Sequence, residues 1–145
     1  MRNALKITVS IACLAAVPSV AIAATASGSG KPFAINCYNE QFKPKKIVLA
    51  CGDAGSWLGK LKWSSWNATS ASATGVYNAN DCTPTCAAGH IKSGPVKVTL
   101  SKVKTCAGQT HLAFKRAAFT YTGTKPKGAP AKFAFRCPPA LPGSY

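Results

Sequence analysis

Beyond position 23, the chain holds few of the usual acid–base and metal-ligating groups. These are six cysteines, two histidines (His90 and His111) and three carboxylates (Glu40, Asp53 and Asp81). The run Cys82-x3-Cys86-x3-His90 has the residue types of a zinc site. Its spacing does not give two half-sites, and a second half is missing unless Cys106 or His111 joins. Asp53 and Asp81 both follow apolar runs and fall in turn clusters. Two carboxylates meeting at one end of a β-domain would be the start of a glycosidase site. The simpler reading has each aspartate bonding its own turn backbone. Asp81, His90 and a serine supply the types of a hydrolytic triad, but no Gly-x-Ser-x-Gly elbow positions a nucleophile. The chain also lacks a phosphate-cradling glycine loop and a dinucleotide fingerprint. The expectation is no catalytic residue, no metal and no cofactor.

A second chemistry is more prominent. Trp57, Trp63 and Trp66 stand close together with Lys60 and Lys62 among them. Indole faces beside ammonium groups suit a sugar or membrane-interface platform that also attracts phosphate or carboxylate. In a strand, Trp57, Leu61 and Trp63 share one parity against Lys60, Lys62 and Ser64. That alternation predicts Trp57 and Trp63 in the core. It leaves Trp66 on the other parity, exposed with Lys60 and Lys62 as the candidate binding residues.

Elements to position these groups are legible as short runs with a period near two. Ile47-Val48-Leu49-Ala50-Cys51 reads as a central strand. Ala71 to Tyr77 is small and β-branched, with Gly75 the candidate bulge. Val96, Val98 and Leu100 oppose Lys97, Thr99 and Ser101. Leu112 and Phe114 are followed by Phe119 and Tyr121 on the opposite count, so a parity shift falls between them. Phe133, Phe135 and Cys137 share a face. Turn clusters at Gly52–Ser56, Asn78–Asp81, Ser93–Pro95 and Gly123–Pro126 separate the runs. The only helical expectation is a single turn over Thr83–Ala88. Such punctuation predicts an all-β domain: a small disulfide-stapled antiparallel sandwich or partly open barrel, its consecutive strands pairing as hairpins.

The first 23 residues read as an export leader. Arg2 and Lys6 precede an apolar stretch from Ile7 to Val17, and Ala21-Ile22-Ala23 fits cleavage after Ala23. Residues 24–31 are a flexible tail, 32–137 one domain, and 138–145 a proline-rich C-terminal tail. The whole chain carries 18 Lys and Arg against three acids, for a formal charge of +15. Loss of Arg2 and Lys6 leaves 16 against three, or +13. That excess favours solubility and attraction to polyanions, although lysines alternating with apolar residues are also what a solvated outer strand face contains. Removal of Cys13 with the leader leaves Cys37, Cys51, Cys82, Cys86, Cys106 and Cys137, an even set that reads as three disulfides in an oxidising space. Cys37 and Cys137 bracket the domain and are paired on that ground alone. Cys82 and Cys86 either close a small turn or reach different strands; in the first case Cys51 and Cys106 remain as partners.

Several strings are distinctive: Ile47-Val48-Leu49-Ala50-Cys51-Gly52-Asp53, Leu61-Lys62-Trp63-Ser64-Ser65-Trp66, Gly75-Val76-Tyr77, and Asn80-Asp81-Cys82-Thr83-Pro84-Thr85-Cys86-Ala87-Ala88-Gly89-His90. In order and spacing the chain resembles small secreted actinobacterial proteins of unassigned function. The resemblance implies export from a Gram-positive cell and carries no catalytic residue across. The expectation is a secreted, monomeric, non-enzymatic basic domain that engages an anionic cell-envelope or extracellular component. It has no transmembrane segment after cleavage and no specific nucleic-acid partner. The rival readings are a module that binds or inhibits another secreted protein through the Asn80–Gly89 loop, and a weak hydrolase built on Asp53, Asp81 and His90.

Overall fold

The computed structural model describes residues 30–139. The proposed leader, its cleavage site, residues 24–29 of the first tail and 140–145 of the last lie outside the described residues. Eight strands follow in chain order: β1 (Phe33–Asn36), β2 (Asn39–Gln41), β3 (Ile47–Val48), β4 (Ser56–Trp66), β5 (Ala71–Asn80), β6 (Ile91–Thr105), β7 (Leu112–Tyr121) and β8 (Lys132–Ala134). No helix occurs among the described residues, and the stretch expected as a helical turn over Thr83–Ala88 is an irregular loop.

The strands form one sheet in the order β2-β1-β7-β6-β5-β4-β3, with β8 added to β7. β4 to β7 make an antiparallel meander of hairpins. β1 joins the outer edge of β7 in parallel, and β8 joins the same edge further along, antiparallel. The sheet curls into a half-barrel, so the all-β, disulfide-stapled class holds in its partly open barrel form. The run Ile47–Cys51 is not a central strand. Only Ile47 and Val48 pair, at the end of the sheet; Ile47 and Leu49 are buried in the core, and Val48, opposite Trp57, is half-buried.

Curling brings that end back toward β1. The Asn36 side chain closes the gap: its Oδ1 accepts from Val48 N at 2.8 Å, and its Nδ2 donates to Lys46 O at 3.2 Å. A short amide thus satisfies edge groups that the sheet leaves open. Inside lie Ile35, Ile47, Leu58, Leu61, Val96, Val98, Leu100, Phe114, Phe119 and Phe135, all buried.

Two irregularities in β4 reorganise the parity on which the tryptophan assignments rested. The β4–β5 register shifts by one residue between Gly59 and Lys62, where Lys60 has a positive φ of 52°, and again between Trp63 and Ser65. Each extra residue turns the following side chains to the other face. Leu58 and Leu61 therefore both point inward, as do Trp63 and Trp66. Trp57, expected in the core, is on the outside, half-buried under the Lys46 ammonium 5.1 Å from its ring centroid. Trp66, expected on the surface, is 7% exposed. Gly75 is not the bulge. Its pairing with Val96 is regular, and it is where β4 crowds β5: a Cβ there would sit 2.7 Å from Gly59 O. In β7, where a parity shift is expected, Phe114 and Phe119 are both buried, but so is Ala113, and the register with β6 runs without a shift from end to end.

The disulfides join Cys37 to Cys51, Cys82 to Cys86, and Cys106 to Cys137. The small Cys82–Cys86 ring is as one alternative had it. The Cys37–Cys137 and Cys51–Cys106 pairings are wrong. Cys37 follows Asn36, so the clasp onto Val48 sets it beside Cys51. β6 and β8 both run antiparallel to β7, so they run in the same direction and their continuations carry Cys106 and Cys137 to the same end of the sheet.

Candidate functional site

Inward packing of Ala73, Val98 and Phe119 forces their neighbours outward. Lys62 of β4 pairs with Thr74 of β5, Thr74 with Lys97 of β6, and Lys97 with Thr120 of β7. All four are exposed and form one row across the sheet. The next row runs Ser72, Thr99, Ala118 and Lys132, and the one after places Ser101 beside Arg116. Lys60 stands out from its bulge on the same strand as Lys62. Adjacent strands are about 4.8 Å apart, so Lys62 and Lys97, with a threonine between them, are spaced by about 10 Å. That spacing avoids placing like charges directly opposite. Short hydroxyl side chains and ammonium groups therefore alternate over a broad face.

No carboxylate offsets this charge. Asp53 accepts from Gly55 N at 2.8 Å in its own turn. Asp81 accepts from His90 N at 2.8 Å and Thr83 N at 3.2 Å, and pairs with Lys92 at 3.4 Å. The backbone bond from His90 is the largest influence holding its carboxyl below the ordinary range, and the remaining bonds and Lys92 add to it against partial desolvation. Both aspartates thus do turn work, and His90 meets Asp81 through its backbone rather than its ring. Among the described residues, no three His, Cys, Asp or Glu side chains gather as a metal site, and Cys82 and Cys86 are spent on each other.

Of the expected binding residues, Lys60 and Lys62 are exposed on the outer face and Trp66 is not with them. The Trp66 indole N–H donates to Pro32 O at 2.8 Å, and its ring meets Trp63, Phe42 and Phe114 edge-on at 4.5, 5.1 and 5.4 Å. Trp63 likewise donates to Pro44 O at 2.8 Å. These rings anchor the 32–44 segment to the barrel, and the outward indole is Trp57.

A further pair was not foreseen. His111 contacts Glu40 through Nε2, although 71 positions separate them. The Glu40 side chain is 7% exposed and its Oε1 has no partner. Lys115 donates to Cys137 Sγ at 2.8 Å. Burial lowers its pKa, partly offset by Glu40. No local motif announces a pair so distant in sequence. At the opposite end, burial and then the neighbouring Tyr77 push the Tyr121 phenol up to about 12. Its hydroxyl donates to Pro130 O at 3.0 Å.

No protein-family model, curated protein or solved structure matches this chain.

Proposed function

We propose that the protein is an exported, non-catalytic basic domain that binds an anionic polymer of the cell envelope or its surroundings across the outer face of β4 to β8. The observation that carries this reading is the unbroken row Lys62–Thr74–Lys97–Thr120, flanked by Lys60, Arg116 and Lys132 on a face without a carboxylate. Cations spaced across the convex outer face of the sheet, with hydroxyl donors between them, suit a repeating phosphate or carboxylate chain more than a single small anion. Binding of this kind releases counterions and weakens steeply with salt. Three disulfides fit an oxidising destination, and among the described residues no helix is long and apolar enough to cross a membrane.

The test is retention on purified anionic wall polymer at physiological salt, beside an unrelated protein of matched charge. The triple variant Lys62→Gln/Lys97→Gln/Lys132→Gln is expected to lower the slope of log affinity against log salt by about 2 to 3. Equal retention of the matched-charge protein, or an unchanged slope in the variant, overturns the proposal.

One observation favours a second reading, a protein-binding loop. Thr83–Ala88 is wholly exposed, yet the Cys82–Cys86 bridge and Asn80 hold it: Asn80 Nδ2 donates to Cys86 O at 2.7 Å and Oδ1 accepts from Cys82 N at 2.9 Å. A protein partner whose affinity ignores salt and is lost on changing this loop would replace the polymer reading.

A further inference from the structure

Where the half-barrel stays open, a cleft of about 560 Å³ lies between β1 and β3 on one side and the β8 segment on the other. Its lining is largely apolar, with Ile35, Val48, Leu49, Phe133 and Phe135 contributing. The volume falls in the range of small-molecule sites, about 300–1,000 Å³. Both walls are covalently fixed. Cys37–Cys51 ties the first, Cys106–Cys137 the second, and all four cysteines except Cys106 line the cleft. Walls tied in this way hold the space open at little entropic cost to a ligand. The lining contains one charged residue, Arg136, which is exposed and has no carboxylate within ion-pair distance among the described residues. The apolar interior of such a cleft selects a hydrocarbon body. An unpaired guanidinium beside it selects a carboxylate, which it can hold by two parallel hydrogen bonds.

We infer that this cleft binds a monomeric long-chain aliphatic carboxylate, with the chain against Leu49 and Phe133 and the head group on Arg136. The site is separate from the basic sheet face and does not depend on polymer binding there.

The experiment is calorimetric titration of the full chain with dodecanoate below its micellar concentration, compared with dodecyltrimethylammonium. Dodecanoate is expected to bind at one site, at least tenfold more tightly than the cationic chain. Arg136→Gln is expected to weaken it about tenfold, the loss of a charge-assisted hydrogen bond. Phe133→Ala should weaken it several-fold, and Lys97→Gln on the sheet face should leave it unchanged. Equal affinity for the cationic chain overturns the inference, as does no binding, or a loss with Lys97→Gln but not with Arg136→Gln. Binding only by a chain truncated after Pro139 also overturns it, because the protein's own last residues would then fill the cleft. Sedimentation that shows the cleft occupied by a second copy has the same consequence.

Discussion

Replacing Trp66 by phenylalanine separates the roles of the core and the face. The substitution keeps an aromatic ring among Trp63, Phe42 and Phe114 but removes the indole N–H that donates to Pro32 O. Pro32 is itself buried, so its carbonyl is left with no donor from this side chain. An orphaned buried acceptor costs about 1–3 kcal/mol. The smaller ring leaves a void worth about another 1 kcal/mol. The expected loss is therefore roughly 2–4 kcal/mol. With a urea m-value of about 1–1.5 kcal/mol/M, the midpoint falls by roughly 2 M at unchanged slope. Polymer retention by the folded variant should match the parent at every salt concentration. A variant of unchanged stability that loses retention would refute the reasoning, since Trp66 would then contact the ligand.

Other perturbations test the closure of the barrel and its ends. Asn36→Ala removes the acceptor for Val48 N and the donor to Lys46 O, and is expected to cost about 2–3 kcal/mol in chemical denaturation. Paired Cys→Ala replacements should rank by the loop each bridge closes. Sequence separations of 31, 14 and 4 correspond to about 4, 3 and 2 kcal/mol for Cys106–Cys137, Cys37–Cys51 and Cys82–Cys86, read by calorimetry. A Cys82–Cys86 loss equal to the Cys106–Cys137 loss would contradict the ranking. Tyr121, raised to about 12 in the fold from an ordinary value of 10.0, favours its neutral form there. The stability it contributes is complete below pH 10 and is lost as pH rises through 12. Phenolate absorbance should show a late ionisation that Tyr121→Phe abolishes.

How far the sequence could be read depends on whether information was local. Val96, Val98 and Leu100 alternate strictly with Lys97 and Thr99, and β6 has that alternation in the structure. The opposite counts of Phe114 and Phe119 mark no register shift: both rings are buried in a β7 that keeps one register with β6. β4 was misread because its two bulges fall in Gly59–Lys62 and Trp63–Ser65, where neither a glycine at the extra position nor a proline marks them. One unannounced bulge moved Trp57 out, and the second brought Trp66 in. The sequence offered a correct cysteine pairing, as one of two alternatives, only where the partners are four residues apart. The other two bridges follow from strand adjacency, β1 beside β3 and β6 level with β8, which no spacing encodes. Glu40 and His111 meet for the same reason. The exposure of Lys60 and Lys62 was legible because charge beside an apolar residue is a local signal. The row that makes Lys62 a candidate for function was not, since Lys97 joins it only through the register of two intervening strand pairs.

The same lysines that would bind a polymer also burden the fold. At about 10 Å, a pair such as Lys62 and Lys97 repels by about 0.4 kcal/mol in water, and a Debye length of about 8 Å at physiological salt removes most of that. Several such pairs on one face sum to about 1 kcal/mol. Stability should therefore rise by roughly 0.4 kcal/mol between roughly 0.01 M salt, where the Debye length is about 30 Å, and 0.15 M, while polymer affinity falls over the same range. Bound polymer should itself raise stability, because it neutralises the face and binds only the folded chain. The triple lysine variant should flatten all three dependences together, measured by denaturant midpoints with and without polymer. If salt sensitivity of folding survives in that variant while binding is lost, the repulsion arises elsewhere on the molecule and the two properties do not share a surface.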